Sequence, residues 1–248
     1  MKHTDRRRHP LRAALLAAAL AAAPALAFAA DCPPLREPRL GELPKTTLNI
    51  DKVKDLLRDY HAKHYAEDIA AVAADARGYV ERRAHEVKNP AIVLDIDETS
   101  LTNWPNIAAD DFGFISGGTC TLKPSEPCGF DAWVNKGTAE AITPTRILFN
   151  AAKANDIAVF FITGRRERVR DITIQNLVHA GFRGWHRLIL RANDDTQRTV
   201  EDFKTEQRSK VAAEGYTIIA NMGDQMSDIN GGFAECPFKL PNPFYFIR

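Results

Sequence analysis

Asp95 and Asp97 flank a single residue, Ile96, directly after a short apolar run. In strand geometry alternate residues face the same way, and at a bending strand end both carboxylates can reach one pocket. Two carboxylates that close repel, so either a cation lies between them or one keeps a proton. Asp224 follows another apolar run and can supply a third oxygen ligand. Oxygen donors of this kind suit Mg²⁺, which keeps several waters and takes substrate phosphate as a ligand. The remaining parts fit phosphoryl transfer. One carboxylate can attack as a covalent nucleophile, while the other protonates a departing alkoxide and later deprotonates a water. Thr163, with the backbone N–H groups from Gly164 onward, can hold phosphate oxygens, and Lys204 can balance the carboxylates and the charge of the transition state. Each residue also has a plainer use, as a turn acid, a solvated lysine, a helix cap (Asp228) or a strand-ending turn (Thr163-Gly164). It is their coincidence that argues for chemistry.

Those residues need elements to position them. Four apolar runs read as buried parallel strands: Ala91–Leu94, Ile157–Ile162, Arg187–Leu190 and Thr217–Met222. Helical segments fall between them at about 144–154, 167–180 and 200–214. The alternation predicts an α/β fold, a Rossmann-like three-layer parallel sheet with ligands bound beyond the carboxyl ends of its strands. Apolar residues from Asn49 to Glu86 recur at three- and four-residue spacing, which predicts one long helix or two flanking the core. His61 and His64 lie on it and read as packing or surface residues. Residues 100–143 break the alternation with Gly117-Gly118, two cysteines and several aromatics, and read as a small cap insertion over the strand ends. Trp104, Phe130 and Trp133 suit the cap core and a substrate-stacking surface equally well.

Residues 1–30 carry five of the chain's basic residues, then an uncharged Ala/Leu-rich stretch ending in Ala27-Phe28-Ala29. This is the pattern of a cleavable export signal, implying a periplasmic or secreted protein with a mature domain of residues 31–248. Pro24 and the shortness of the stretch argue against a membrane span, and Asp31 before Cys32 argues against a lipid anchor. Without those thirty residues acids outnumber bases by three, so there is no electrostatic footprint for nucleic acid. Four cysteines (Cys32, Cys120, Cys128, Cys236) in an exported chain suggest disulfides, with Cys120–Cys128 and Cys32–Cys236 favoured among three pairings. Free thiols or a metal cluster are the alternatives, although no CxxC or histidine partner supports a cluster.

Asp95-Ile-Asp-Glu-Thr99, Thr163-Gly-Arg165, Phe203-Lys-Thr-Glu-Gln-Arg208 and Gly223-Asp-Gln-Met-Ser-Asp228 resemble, in order, the four motifs of the haloacid dehalogenase (HAD) superfamily. The Asp-x-Asp-Glu-Thr variant and Phe238-Lys-Leu-Pro-Asn-Pro243 resemble its subfamily IIIB, the secreted acid phosphatases and plant vegetative storage proteins. The resemblance implies that Asp95 is nucleophile and metal ligand, and that Asp97 is general acid/base with its backbone carbonyl on the metal. It further implies that Thr163 binds phosphate, Lys204 steadies charge, Asp224 ligates Mg²⁺ and Asp228 orients a metal-bound water. Arg165 and Arg208 receive supporting roles only. The expected reaction is Mg²⁺-dependent hydrolysis of small phosphomonoesters, nucleotides among them. Its rivals are phosphotransfer to an alcohol and an inactive storage protein on the same scaffold. A dehalogenase needs neither Asp97 nor a metal.

Overall fold

Five parallel strands form one sheet: β1 (Pro90–Leu94), β2 (Ala158–Arg166), β3 (Arg187–Arg191), β4 (Thr217–Gly223) and β5 (Cys236–Lys239), in the order β3-β2-β1-β4-β5. The structure is a computed structural model that describes residues 32–42, 49–123 and 126–247. The expected export signal lies outside the described residues. β1 is the central strand, and its apolar run follows from burial on both faces. Ile92 and Leu94 belong to one hydrophobic cluster, Ala91 and Val93 to the other, as the two-residue period of a strand requires. Helices α1 (Ile50–Tyr60), α2 (Ala66–Arg83), α3 (Trp104–Ala109), α4 (Phe130–Lys136), α5 (Thr143–Ala154), α6 (Arg170–His179), α7 (Val200–Ala213) and α8 (Met226–Ile229) complete the fold. Leu148, Phe149 and Ala152 of α5 join α2 on one face of the sheet; Phe203 and Val211 of α7 cover the other. This is the three-layer α/β fold expected from the pattern.

The long N-terminal helical segment is continuous but not uniform. Between α1 and α2, His61–Tyr65 form a π-helical turn whose flanking residues keep right-handed helical geometry. Tyr60 and Tyr65, five residues apart, are both buried with ring centroids 6.0 Å apart. Such spacing shares a side of the helix only where it widens to i→i+5 bonds, a feature often found at functional sites.

Two expectations need correction. A fifth strand, β5, was not legible: its four residues include Pro237, which fits an edge strand and obscures the pattern. β2 runs on to Arg166, so Thr163, Gly164 and Arg165 lie within the strand rather than after it. Residues 100–143 contain α3 and α4, and an antiparallel bridge between Leu101 and Ala141 brings the two ends of the segment together.

Both favoured cysteine pairings are formed, Cys120–Cys128 and Cys32–Cys236. The first spans 8 residues and the second 204, the latter fastening the start of the described chain to edge strand β5. Loop-closure entropy makes the longer crosslink the more stabilising one. Replacing Cys32 and Cys236 by serine should cost about 5 kcal/mol, against about 2–3 kcal/mol for the Cys120/Cys128 pair. Urea unfolding of the two double variants measures this; equal losses would show that the chain-entropy argument does not govern here.

Candidate active site

The chain runs outward from β1 through β2 to β3, then returns to β4 on the other side of β1. That reversal opens a crevice between the ends of β1 and β4, where ligands bind in such sheets. Asp95 leaves β1 there, with its N–H donating to Met222 O of β4 at 3.0 Å. The next turn is closed by Thr99, Ser100 and Leu101, whose N–H groups all donate to Ile96 O. It places Glu98 in the left-handed region (φ 50°), and Ser100 Oγ donates to Asp95 O at 2.6 Å. Asp224 leaves β4 beside it, and Asp228 follows one turn later on α8.

These groups converge. Lys204 Nζ, reaching in from α7, donates to Asp95 Oδ1 and, at 2.5 Å, to Asp228 Oδ1. Asp95, Asp224, Asp228 and Lys204 are all buried. Asp228 Oδ2 accepts the Gln225 N–H at 2.8 Å, completing a capping box on α8. A side chain on Gly223 would put its Cβ 2.2 Å from Asp228 Cβ, so β4 must end in glycine for Asp228 to enter. Asp224 Oδ1 accepts from Thr99 Oγ1 at 3.2 Å, and its Oδ2 accepts from Gln225 Nε2 at 2.8 Å and Asn242 Nδ2 at 2.6 Å.

Asp97 has a cationic partner of its own. Its carboxylate turns to Arg165, which donates from Nη2 to Oδ1 at 2.7 Å and from Nε to both oxygens at 3.1 Å. The guanidinium therefore relieves the repulsion that the two neighbouring acids would suffer, which makes Arg165 more than a supporting residue. Thr163 is fully buried and its Oγ1 accepts the Arg165 N–H at 3.1 Å. Gly164 is half-buried, and a Cβ there would meet only Val200 at an ordinary 3.8 Å. Arg208 has a structural task. Its guanidinium donates to the carbonyls of Asp228 (2.6 Å), Gly232 (2.9 Å) and Asn230, pinning the segment after β4, and burial lowers its pKa to about 10.

Trp104 is half-buried and stacks on His61, with ring centroids 3.5 Å apart and planes 5° from parallel. Phe112 and Phe244 pack beside it. Trp133 is buried and its indole N–H is spent on Asn103, so it belongs to the cap core and offers no stacking surface.

Electrostatics decide what the cluster can hold. Burial, opposed by Lys204 and reinforced by Asp228 and Asp224, pushes the Asp95 carboxyl well above its usual range. Burial, then Asp228, raises Asp224 to about 6. Lys204 stays protonated: burial works against its charge, but Asp228 and Asp95 outweigh it. Asp97 goes the other way, since Arg165 and Asn103 overcome burial and lower its pKa. Fully ionised, Asp95, Asp224 and Asp228 would set three negative charges against one ammonium, and that deficit of two matches a divalent cation. Their ligand oxygens lie within 4.8 Å of one another. These three would hold a small, hard cation such as Mg²⁺ through carboxylate oxygens. The all-oxygen donor set and its charge fit that ion.

Several residues here carry no sequence signal of their own. Glu98 and Gln225 lie inside motifs yet had no assigned role; Asn242 lies in the Pro-Asn-Pro stretch; Tyr65 and Asn103 are far apart in the chain and meet at Glu98 only in the fold. Tyr245 joins them. Burial, with Asp224 and Glu98 near it, raises its phenol well above the ordinary value.

The family model for HAD superfamily, subfamily IIIB (Acid phosphatase) matches residues 32–248. The chain is 40% identical over 156 residues to Acid phosphatase 1 of Solanum lycopersicum, an alignment covering 62% of this chain and 58% of that protein. It is 28% identical over 200 residues to Vegetative storage protein 2 of Arabidopsis thaliana, covering 78% of this chain and 71% of the relative. The Class C acid phosphatase from Bacillus anthracis shares the fold, with a TM-score of 0.57 at 23% identity over 78% of this chain and 84% of that one.

Proposed function

The chain belongs to the HAD superfamily, subfamily IIIB, the acid phosphatase subfamily, and from that membership and the site geometry we propose that it hydrolyses phosphomonoesters through a phosphoaspartyl intermediate on Asp95. The observation that carries this reading is Lys204 bridging Asp95 and Asp228 beside Asp224, inside one buried cluster.

Asp95, Asp224 and Asp228, with the Asp97 backbone carbonyl, would hold Mg²⁺, which when bound neutralises carboxylate and phosphate charge so that the two can approach. Asp95 attacks phosphorus while Lys204 keeps its carboxylate oriented and balances the charge spreading over the phosphoryl oxygens. Thr163 and the N–H of Gly164 bind those oxygens. Asp97 gives a proton to the leaving oxygen; the resulting carboxylate then takes one from the water that cleaves the phosphoaspartate. Trp104, half-buried and stacked on His61, is the aromatic residue to meet an aryl or nucleoside leaving group. Residues 1–30 act as an export signal and 31–248 as the phosphatase domain, with 100–143 as its cap. Both disulfides suit an oxidising compartment. Among the described residues no helix is long and apolar enough to cross a membrane.

An acidic optimum follows from the Asp97 site. Arg165 holds Asp97 as a carboxylate, so the proton-donating form is present only at low pH, and each unit above its pKa costs about tenfold. Replacing Arg165 by alanine removes the stabilising charge and raises that pKa. The alkaline limb of the kcat/KM profile should therefore move to higher pH, on top of a lower maximum. An unmoved limb would mean that another group sets it.

A panel of phosphomonoesters assayed with and without Mg²⁺ tests the proposal directly; no turnover of any ester would leave the storage reading. Measuring free phosphate against phosphoester in excess nucleoside separates hydrolysis from phosphotransfer.

A further inference from the structure

Asn103 occupies the N-cap position of α3, where an asparagine side chain normally accepts an N–H from the first helical turn. It makes no such bond. Its side chain reaches out of the helix instead, and Nδ2 donates to Asp97 Oδ1 at 2.9 Å. Two further contacts hold it in that pose. The Trp133 indole N–H donates to Asn103 Oδ1 at 2.8 Å, which fixes which end of the amide faces Asp97. The Asn103 backbone N–H donates to Glu98 Oε1, and Glu98 is itself clamped by Thr102 Oγ1 at 3.1 Å and by the Tyr65 hydroxyl from the π-helical turn. Asn103, Glu98, Tyr65 and Trp133 are all buried.

The consequence falls on the two oxygens of Asp97 unequally. Oδ1 accepts from Asn103 Nδ2 and from Arg165 Nη2 and Nε; among the described residues Oδ2 accepts from Arg165 Nε alone, at 3.1 Å. The Asp97 side chain keeps 20% of its surface exposed, whereas Arg165 keeps 2%. We propose that Asn103, locked by Trp133 and Glu98, is a positioning residue that commits Oδ1 and leaves Oδ2 to meet the leaving oxygen. The inference rests on the acid role given to Asp97 above. In that step a carboxylate oxygen of Asp95 bonds to phosphorus as the bond from phosphorus to the leaving oxygen breaks. The leaving oxygen keeps the electron pair and takes the proton from Asp97 Oδ2, which becomes a carboxylate. Trp133, a cap residue, thereby acts on the chemistry without touching substrate.

The test compares leaving groups. p-Nitrophenolate departs readily without a proton, whereas an alkoxide does not, so a displaced acid harms alkyl esters selectively; loss of general stability harms both alike. kcat/KM, which reports steps up to phosphoryl transfer from the ester, is measured with Mg²⁺ for p-nitrophenyl phosphate and glycerol phosphate. The proteins are wild type, Asn103→Ala, Trp133→Phe and Asp97→Asn. The aryl-to-alkyl ratio should rise roughly tenfold in Asn103→Ala and a few-fold in Trp133→Phe, as loss of a hydrogen bond to a charged group predicts. Asp97→Asn should raise it further. Parallel losses on both esters in Asn103→Ala and Trp133→Phe, with the ratio raised in Asp97→Asn, would overturn the positioning role. A ratio unmoved in Asp97→Asn would locate the failure in the acid assignment and remove the proposal with it. Trp133→Phe keeps an aromatic side chain there while deleting the donor, and the smaller ring costs stability on both esters alike, so the ratio still decides the matter should Asn103→Ala not fold.

Discussion

Asp95→Asn is expected to lower kcat for phosphomonoester hydrolysis by roughly 10⁴-fold or more, as removal of a covalent nucleophile does elsewhere. An amide oxygen in the same place is a poor nucleophile, and neither Asp224 nor Asp228 is free to replace it. Asp224 has both oxygens bonded to Thr99, Gln225 and Asn242, and Asp228 is tied to Lys204 and Gln225. The fold should survive. Asparagine is nearly isosteric with aspartate, and Lys204 keeps Asp228 as its ion-pair partner. Without metal the variant should even be as stable as the wild type or more so at neutral pH, because buried Asp95 must take up a proton to stay neutral and asparagine need not. Thermal melting in chelator, read beside turnover, checks both halves. Near-normal kcat would refute the nucleophile assignment; a collapsed melting temperature would show that Asp95 is needed to fold.

Chelation of Mg²⁺ should be the other large effect, taking activity to background, with added Mg²⁺ restoring it. The reason lies in the charges already described. Without a cation the cluster keeps protons: burial and mutual repulsion hold Asp95 well above its usual range and Asp224 at about 6. A protonated Asp95 cannot attack, and an ionised cluster repels the incoming phosphate. Binding the metal must therefore displace protons. The sign follows: apparent Mg²⁺ affinity should rise with pH through about 6, where Asp224 gives up its proton, and fall on acidification. Calorimetry in buffers of different ionisation enthalpy measures the proton release. Activity indifferent to chelator, or Mg²⁺ binding without proton release near that pH, would remove the ion from this site.

The lysine makes the balance tighter than carboxylates alone would. Lys204 is buried against Asp95 and Asp228, so the cluster carries its own partial neutralisation before any ligand arrives. Removing a partner from a buried pair typically costs about 3–5 kcal/mol, since the remaining charge is stranded. The arrangement is therefore part of the fold as well as part of the site, which is why variants at Lys204 read less cleanly than the isosteric change at Asp95.

By itself the chain determined four of the five described strands and the motifs attached to them. Ala91–Leu94 is apolar without alternation because β1 is covered on both faces, and that pattern is local, so it can be read directly. The same holds for Asp95, Thr163, Lys204 and Asp224, each set by a short motif attached to a periodic element. Short or proline-containing pieces were not legible, β5 among them, because four residues hold too little periodicity to declare a strand. What only the tertiary structure decided is which charges meet. Asp95 and Asp97 are two residues apart yet face different partners, one a lysine 109 residues onward and the other an arginine 68 residues onward. The pairing of Asn103 with Trp133 across the cap is of the same kind. Hydrophobic periodicity repeats every two to four residues and survives in the linear sequence; a buried carboxylate's partner is whichever cation the packing brings within a few ångströms, and no local pattern records that choice.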